Sequence, residues 1–271
     1  MADLGMRPSK RLGQHFLIDV NVRDKIIEAA ELHPCDPVLE VGPGLGALTV
    51  QLLARAGRVL AIERDPVLYR YLRGALGGRI DLVHGDALAV DIESMMKNRD
   101  SRACWKVVAN LPYQIVSPLM YRLLGSSLVT MIVVTVQLEV AERLLAEPGG
   151  KDYGVLSVLA AWRGKVERIA KVSPYVFWPR PGVDSAVVRV RIERPAGPEE
   201  VRSFLEVVNA GFSHRRKTLE NSLRLSGWLG GDRWAIARAL EKAGIVGGRR
   251  AEDLGPGEFE ALSAAARALG V

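Results

Sequence analysis

Cysteine is scarce, and no apolar segment is long enough to leave the aqueous phase; each shortage excludes a class of protein. The two cysteines, Cys35 and Cys104, stand far apart and have no CxxC partner, so neither a disulfide framework nor a zinc site is indicated. The longest apolar run, about Leu128 to Val136 with two threonines inside it, is too short to cross a bilayer and suits a central strand. Residues 1–8 carry no signal-type apolar stretch, which makes a cytoplasmic protein with no membrane partner the expectation. The four histidines are scattered, and no metal is expected. Acid is also in deficit: 31 Asp and Glu face 37 Lys and Arg, leaving a net charge of +6. That balance permits a polyanionic partner without proving one.

What is present fits an ordinary globular chain. Its 271 residues are enough for a full core and suggest one large domain plus a small one. The basic charge is local. Arg7, Lys10 and Arg11 cluster near the start, and Arg215, Arg216 and Lys217 late in the chain, while residues 196–271 are nearly neutral by count. Each cluster reads either as a solvated face or as a phosphate contact.

Strand and helix patterns alternate through the first half. Asp19 is placed to cap a helix whose apolar positions are Val22, Ile26, Ile27 and Ala30, with Pro34 and Pro37 ending it. Val38 to Val41 reads as a strand that runs into Gly42-Pro43-Gly44-Leu45-Gly46 and then a helix from about Ala47 to Arg55. Glycines at Gly42 and Gly44 let the backbone turn tightly under a ligand. The next strand, Arg58 to Glu63, ends on an acid 21 residues after Gly42, where a carboxylate can take two ribose hydroxyls. With Ala47 the glycine pattern also satisfies the dinucleotide form, so it does not separate a nicotinamide cofactor from S-adenosylmethionine. A third strand, Ile80 to His84, precedes Asp86, which can accept from an adenine amino group or simply cap a turn. The fourth strand leads to Asn110 and the fifth is Leu128–Val136. Five such units predict an open parallel sheet with helices on both faces and ligands at the carboxyl ends of its strands.

The fourth strand ends on Asn110-Leu111-Pro112-Tyr113. An exocyclic amine on a flat heterocycle needs such a set: Asn110 Oδ1 and the Leu111 carbonyl to accept its protons, Pro112 to hold the turn, and Tyr113 to lie against the ring. A Pro turn beside a core tyrosine fits the same four residues. Farther on, Ser173 to Pro181 reads as a rigid, aromatic-rich loop, with Phe177 either facing Tyr113 or covering the sheet edge with Trp178. Asp184 to Arg191 then reads as the strand that closes the sheet. Helical periodicity takes over after Arg194-Pro195, which places a boundary near residue 195 between a domain of residues 1–195 and a helical one of 196–271.

Gly13-Gln14-His15-Phe16-Leu17, Glu40-Val41-Gly42-Pro43-Gly44, Asn110-Leu111-Pro112-Tyr113, Phe177 to Ala186 and Arg215-Arg216-Lys217-Thr218-Leu219 occur in that order over nearly the whole chain. The set resembles the rRNA adenine N6-dimethyltransferase (KsgA) family. The resemblance implies a class I S-adenosylmethionine-dependent methyltransferase: a Rossmann-like α/β fold with a mostly parallel seven-stranded sheet and a small all-α C-terminal domain. It also implies dimethylation of two adjacent adenosines near the 3′ end of small-subunit rRNA by a monomer, in an immature small ribosomal subunit. Carried over by position, His15, Leu17, Gly42, Gly44, Glu63, Asp86 and Asn110 would hold the cofactor. Asn110, Leu111, Pro112, Tyr113 and Phe177 would hold the reacting base. Lys10, Arg11, Arg215, Arg216 and Lys217 would contact RNA. This chain departs from the family pattern at His15, where many members have Asn, and at Glu220 after the second basic run.

Overall fold

Runs of Val, Ile and Leu bounded by Gly, Pro or Asp become strands, and the apolar-periodic stretches between them become the helices packed against those strands. The computed structural model describes residues 8–9, 12–100 and 104–269. Its elements begin with β1 (Phe16–Leu17), α1 (Val20–Ala29), β2 (Pro37–Val41), α2 (Thr49–Leu53), β3 (Arg58–Glu63) and α3 (Pro66–Leu76). They continue with β4 (Asp81–His84), α4 (Ile92–Arg99), β5 (Trp105–Asn110), α5 (Val116–Gly125), β6 (Val129–Gln137), α6 (Leu138–Leu145) and α7 (Val155–Arg163). β7 (Gly164–Val172), β8 (Phe177–Trp178) and β9 (Ser185–Ile192) follow, then α8 (Pro198–Phe212), α9 (Leu219–Leu225), α10 (Arg233–Lys242) and α11 (Pro256–Arg267).

Seven strands form one sheet in the order β4-β3-β2-β5-β6-β9-β7. The first five run parallel, and β9 lies antiparallel to β6. The mostly parallel seven-stranded sheet implied by the resemblance is therefore what the chain folds into. β2, β5 and β6 are buried over most of their length, which explains why they read as continuous apolar runs rather than alternating ones. A two-stranded ribbon, β1 with β8, pairs Phe16 with Trp178 and Leu17 with Phe177.

Several expectations change. Asp184–Arg191 does not close the sheet: β9 is inserted beside β6, and β7 holds the edge. The helix after the glycines is only five residues long, Thr49–Leu53, because Gly46 keeps a φ of +86° and the chain enters helical geometry only at Leu48. What ends α1 is Glu31 at φ +46° rather than Pro34.

The division into domains also differs from a single cut near residue 195. One compact unit comprises Met1–Ala141 with Lys165–Glu193, and the other Glu142–Gly164 with Arg194–Val271. α7 accounts for this. Leu156, Val158, Leu159, Ala160, Trp162 and Arg163 are all buried, so the helix needs cover on nearly every side. Within the second unit its Trp162 ring stacks on Phe204 of α8 at 4.0 Å and 9°.

Candidate active site

Parallel register aligns Val41 with Ile62 and Glu63 with His84, so the carboxyl ends of β2, β3 and β4 lie along one edge, with β5 beside β2. Gly42, Gly44, Glu63, Asp86, Asn110, Leu111 and Pro112 line one cleft at that edge, the place where an open parallel sheet of this kind takes its ligands. The segment Leu12–Leu17 forms another wall and brings His15 and Leu17 to the same cleft.

The turn after β2 takes glycine for two reasons. Gly42 and Gly44 have φ of +70° and +61°, a region that side chains disfavour. Space beside them is also tight: a Cβ on Gly42 would come within 3.3 Å of Pro112 Cδ, and one on Gly44 within 3.1 Å of Phe16 Cδ1. Backbone can thus approach a ligand closely here.

Two acids stand behind the turn. Glu63 Oε2 accepts from the Gly44 N–H at 3.1 Å, and Oε1 from the Asp65 N–H at 2.8 Å. Each oxygen keeps a second lone pair for a hydroxyl. Burial raises the Glu63 carboxyl above its usual range, against the pull of those N–H donors. Glu40 is deeper. Its Oε2 accepts from Thr49 Oγ1 at 2.7 Å, and burial, with nearby Glu63 adding to it, pushes its pKa up to about 8.

Asn110 is held by a backbone group of the opposite wall. Its Nδ2 donates to the His15 carbonyl at 2.9 Å. With the amide nitrogen committed to a carbonyl, Oδ1 is left as an acceptor on the other side of the side chain. The His15 ring is anchored in turn by Nδ1 against the Pro179 carbonyl at 2.7 Å, and it stacks on Tyr113 at 5.4 Å and 28°. The Tyr113 hydroxyl and Ser185 Oγ are 2.6 Å apart, and Ser185 is fully buried. Gln14 braces the same segment: Nε2 donates to Asp65 Oδ2 at 2.8 Å, and Oε1 accepts from the Ser9 N–H at 2.7 Å.

Other expected residues lie elsewhere or already have partners. Asp86 Oδ1 caps the Leu88 N–H at 2.9 Å, and Oδ2 pairs with Arg64 at 3.1 Å, so the turn-capping role coexists with a position in the cleft. Phe177 is 2% exposed and packs in the core with Leu17, Ile26 and Ile27. Its ring therefore has no open face, contrary to the expectation of a ring facing Tyr113, because β8 turns Phe177 inward and Trp178 outward. In the second unit Arg215 donates to the Tyr153 carbonyl at 2.7 Å, while Arg216 and Lys217 are exposed. Lys10 and Arg11 lie outside the described residues. Among the described residues no His, Cys, Asp and Glu group could hold a metal ion.

Sequence reading assigned no role to Gln14, Glu40, Asp65 or Ser185, although all but Asp65 stand inside the motifs quoted above. An acid inside the apolar run Val38-Leu39-Glu40-Val41, and an Asp before the Pro that starts α3, were visible signals. The Tyr113–Ser185 contact spans 72 residues and had none.

The family model for ribosomal RNA adenine dimethylase matches residues 6–254 of the chain. The ribosomal RNA small subunit methyltransferase A of Pelotomaculum thermopropionicum is 47% identical, over 96% of this chain and 91% of that protein. That of Moorella thermoacetica is 45% identical, over 96% and 92%. Among solved structures, a dimethyladenosine transferase from Plasmodium falciparum matches with a TM-score of 0.75 at 26% identity, covering 92% of this chain and 96% of that one. The 23S rRNA methyltransferase ErmE matches with a TM-score of 0.65 at 30% identity, covering 93% and 99%.

The raised Glu40 carboxyl gives a pH signature. With a folded pKa of about 8 against an ordinary 4.5, its proton is retained by the folded chain and released by the unfolded one. Its contribution to stability is therefore complete below the unfolded value and is lost as pH rises through about 8. The melting temperature of Glu40→Gln relative to wild type should climb steadily across that interval; a difference independent of pH would contradict the buried neutral acid.

Proposed function

The chain belongs to the ribosomal RNA adenine dimethylase family, and from that premise we propose that it uses S-adenosylmethionine to dimethylate N6 of two adjacent adenosines near the 3′ end of small-subunit rRNA. We take it to act as a monomer, in the cytoplasm, on an immature small subunit. The supporting observation is the orientation of Asn110, whose Nδ2 is held by the His15 carbonyl so that Oδ1 faces away as an acceptor.

The cleft suits the donor. Glu63 retains lone pairs for a ribose diol, Asp86 can accept from the adenine amino group, and the Gly42–Gly44 turn leaves room for close backbone approach. His15, Leu17 and Asn110 complete the wall. Bound S-adenosylmethionine supplies an electrophilic methyl group on a sulfonium. The difficulty lies with the nucleophile, because the N6 lone pair is delocalised into the purine. Asn110 Oδ1 and the Leu111 carbonyl, by accepting the N6 protons, favour a pyramidal amine with its lone pair aimed at the methyl. Pro112 holds that turn, so the stabilisation is preorganised. Tyr113 stacks on the extruded base for about 1–3 kcal/mol, against an unstacking cost of roughly a few kcal/mol. Phe177 serves as the buried apolar wall behind the pocket. The alkylated N6 loses its proton to water, so no general base is required.

Outside the cleft, exposed Arg216 and Lys217 supply phosphate contacts, with Lys10 and Arg11 assigned the same role. Arg215 braces the loop through Tyr153. A second reading, methylation of large-subunit rRNA, is favoured by the likeness to ErmE. The higher identity to small-subunit enzymes favours the first.

Incubation with labelled methyl donor and unmodified subunits of each kind should place label on two adjacent adenosines of the small subunit. Asn110→Ala should lower transfer by about 100-fold or more, the scale of losing a preorganised polar contact, with donor binding largely retained. Label on the large subunit alone, or wild-type turnover in the variant, would overturn the assignment. Tyr113→Phe keeps the ring but loses the Ser185 contact, which a hydrogen bond of about 0.5–1.5 kcal/mol makes a two- to thirteenfold loss; Tyr113→Ala should cost much more, and equal losses would shift the role from ring to hydroxyl. Replacing Arg216 and Lys217 with Gln should weaken RNA binding and reduce its salt slope by about 0.7–0.9 per lost phosphate contact; an unchanged slope would leave those residues as a solvated face.

A further inference from the structure

The loop from Ser173 to Asp184 is fastened along its length, yet it turns unusual side chains to solvent. Its backbone is held by the Ile18 N–H, which donates to the Val176 carbonyl at 2.9 Å, and by the β1–β8 pairing. The Pro179 carbonyl accepts from His15 Nδ1 at 2.7 Å, and Lys171 pairs with Asp184 at 2.8 Å. Phe177 is the apolar anchor in the core. None of these contacts uses the side chain of Tyr175, Trp178 or Arg180. Tyr175 is 71% exposed and Trp178 46%. The Arg180 guanidinium lies over the Tyr175 ring, 3.7 Å from its centroid, and among the described residues it has no carboxylate within ion-pair distance.

We propose that Tyr175, Trp178 and Arg180 form a stacking platform for the unpaired nucleotides that flank the target adenosine. This rests on the reading of the cleft as an RNA adenine methyltransferase site. Trp178 is the register partner of Phe16, and Phe16 lines the cleft, so the platform begins one strand away from the reaction site. A guanidinium lying over a phenol ring offers the next base a planar cationic face, and the uncompensated charge suits the phosphates on either side. A nucleotide strand answers both features at once, since every base has a π-face and every linkage an anionic oxygen. A second copy of this chain would bring the same cation against Arg180.

The test uses the full-length chain with Tyr175→Ala, Trp178→Ala and Arg180→Gln. Two assays run in parallel: methyl transfer to unmodified small subunits, and binding of a short single-stranded RNA followed by tryptophan fluorescence. Each aromatic loss should raise KM for the subunit about tenfold, the scale of one base–aromatic stack, and weaken oligonucleotide binding to a similar degree. Turnover at saturating subunit and affinity for the methyl donor should stay within about twofold of wild type. Trp178→Phe should bind RNA yet lose part of the fluorescence change. Unaltered KM and oligonucleotide affinity in all three variants would overturn the platform even with an active wild type, as would losses confined to turnover or donor affinity. A wild type that transfers no methyl but binds oligonucleotide through these side chains would overturn the reaction and leave the platform standing.

Discussion

The hydrogen bond from Asn110 to the His15 carbonyl is the contact on which the proposed reaction geometry depends. An amide side chain at a strand tip can rotate and present either end; a carbonyl opposite its nitrogen removes that choice. The carbonyl is itself located by a chain of supports. Gly13 takes φ +61°, Gln14 ties the segment to Asp65, which also caps α3, and the His15 ring is pinned between Tyr113 and Pro179. The acceptor is thus aimed by residues from four separate stretches of chain. Such redundancy is expected where a site must be held within about half an ångström of its working geometry.

The strand ends were readable because each carries its own punctuation. Gly42, Glu63, Asp86 and Asn110 follow apolar β-branched runs, and parallel pairing gathers those ends without further information. Where contacts between distant segments decide the outcome, the reading failed. Phe177 and Trp178 look interchangeable in sequence; only pairing with Phe16 and Leu17 determines which ring goes inward. Likewise β9 reads as a terminal strand, since nothing local to Ser185–Ile192 tells that β7 will lie outside it. α7 is apolar on nearly every face, so its periodicity could not reveal which unit it would join. At His15 the family pattern identified the position but not the work done there by its backbone oxygen and ring.

Glu40 and Glu63 occupy adjacent strands behind the cleft and differ in what surrounds them. Glu63 meets two backbone N–H groups that favour its charge; Glu40 has one hydroxyl and nearly complete burial. The outer acid keeps acceptor capacity toward the cleft, while the inner one is held protonated and ties β2 to α2 through the Thr49 hydroxyl. Burial is the largest cause at each and raises both carboxyls; on the proposed function the outer one is left for binding and the inner one for scaffolding.

The discontinuity of the second unit bears on biosynthesis. By the time Ile192 has been polymerised every strand exists, but α7, made some residues earlier, still lacks α8 and α11, the helices that cover it. For that interval Leu156, Val158, Leu159 and Trp162 are bare, the kind of exposure that invites aggregation or a chaperone. A nonsense codon after Arg194 would make the interval permanent, leaving those side chains without α8 and α11 to cover them.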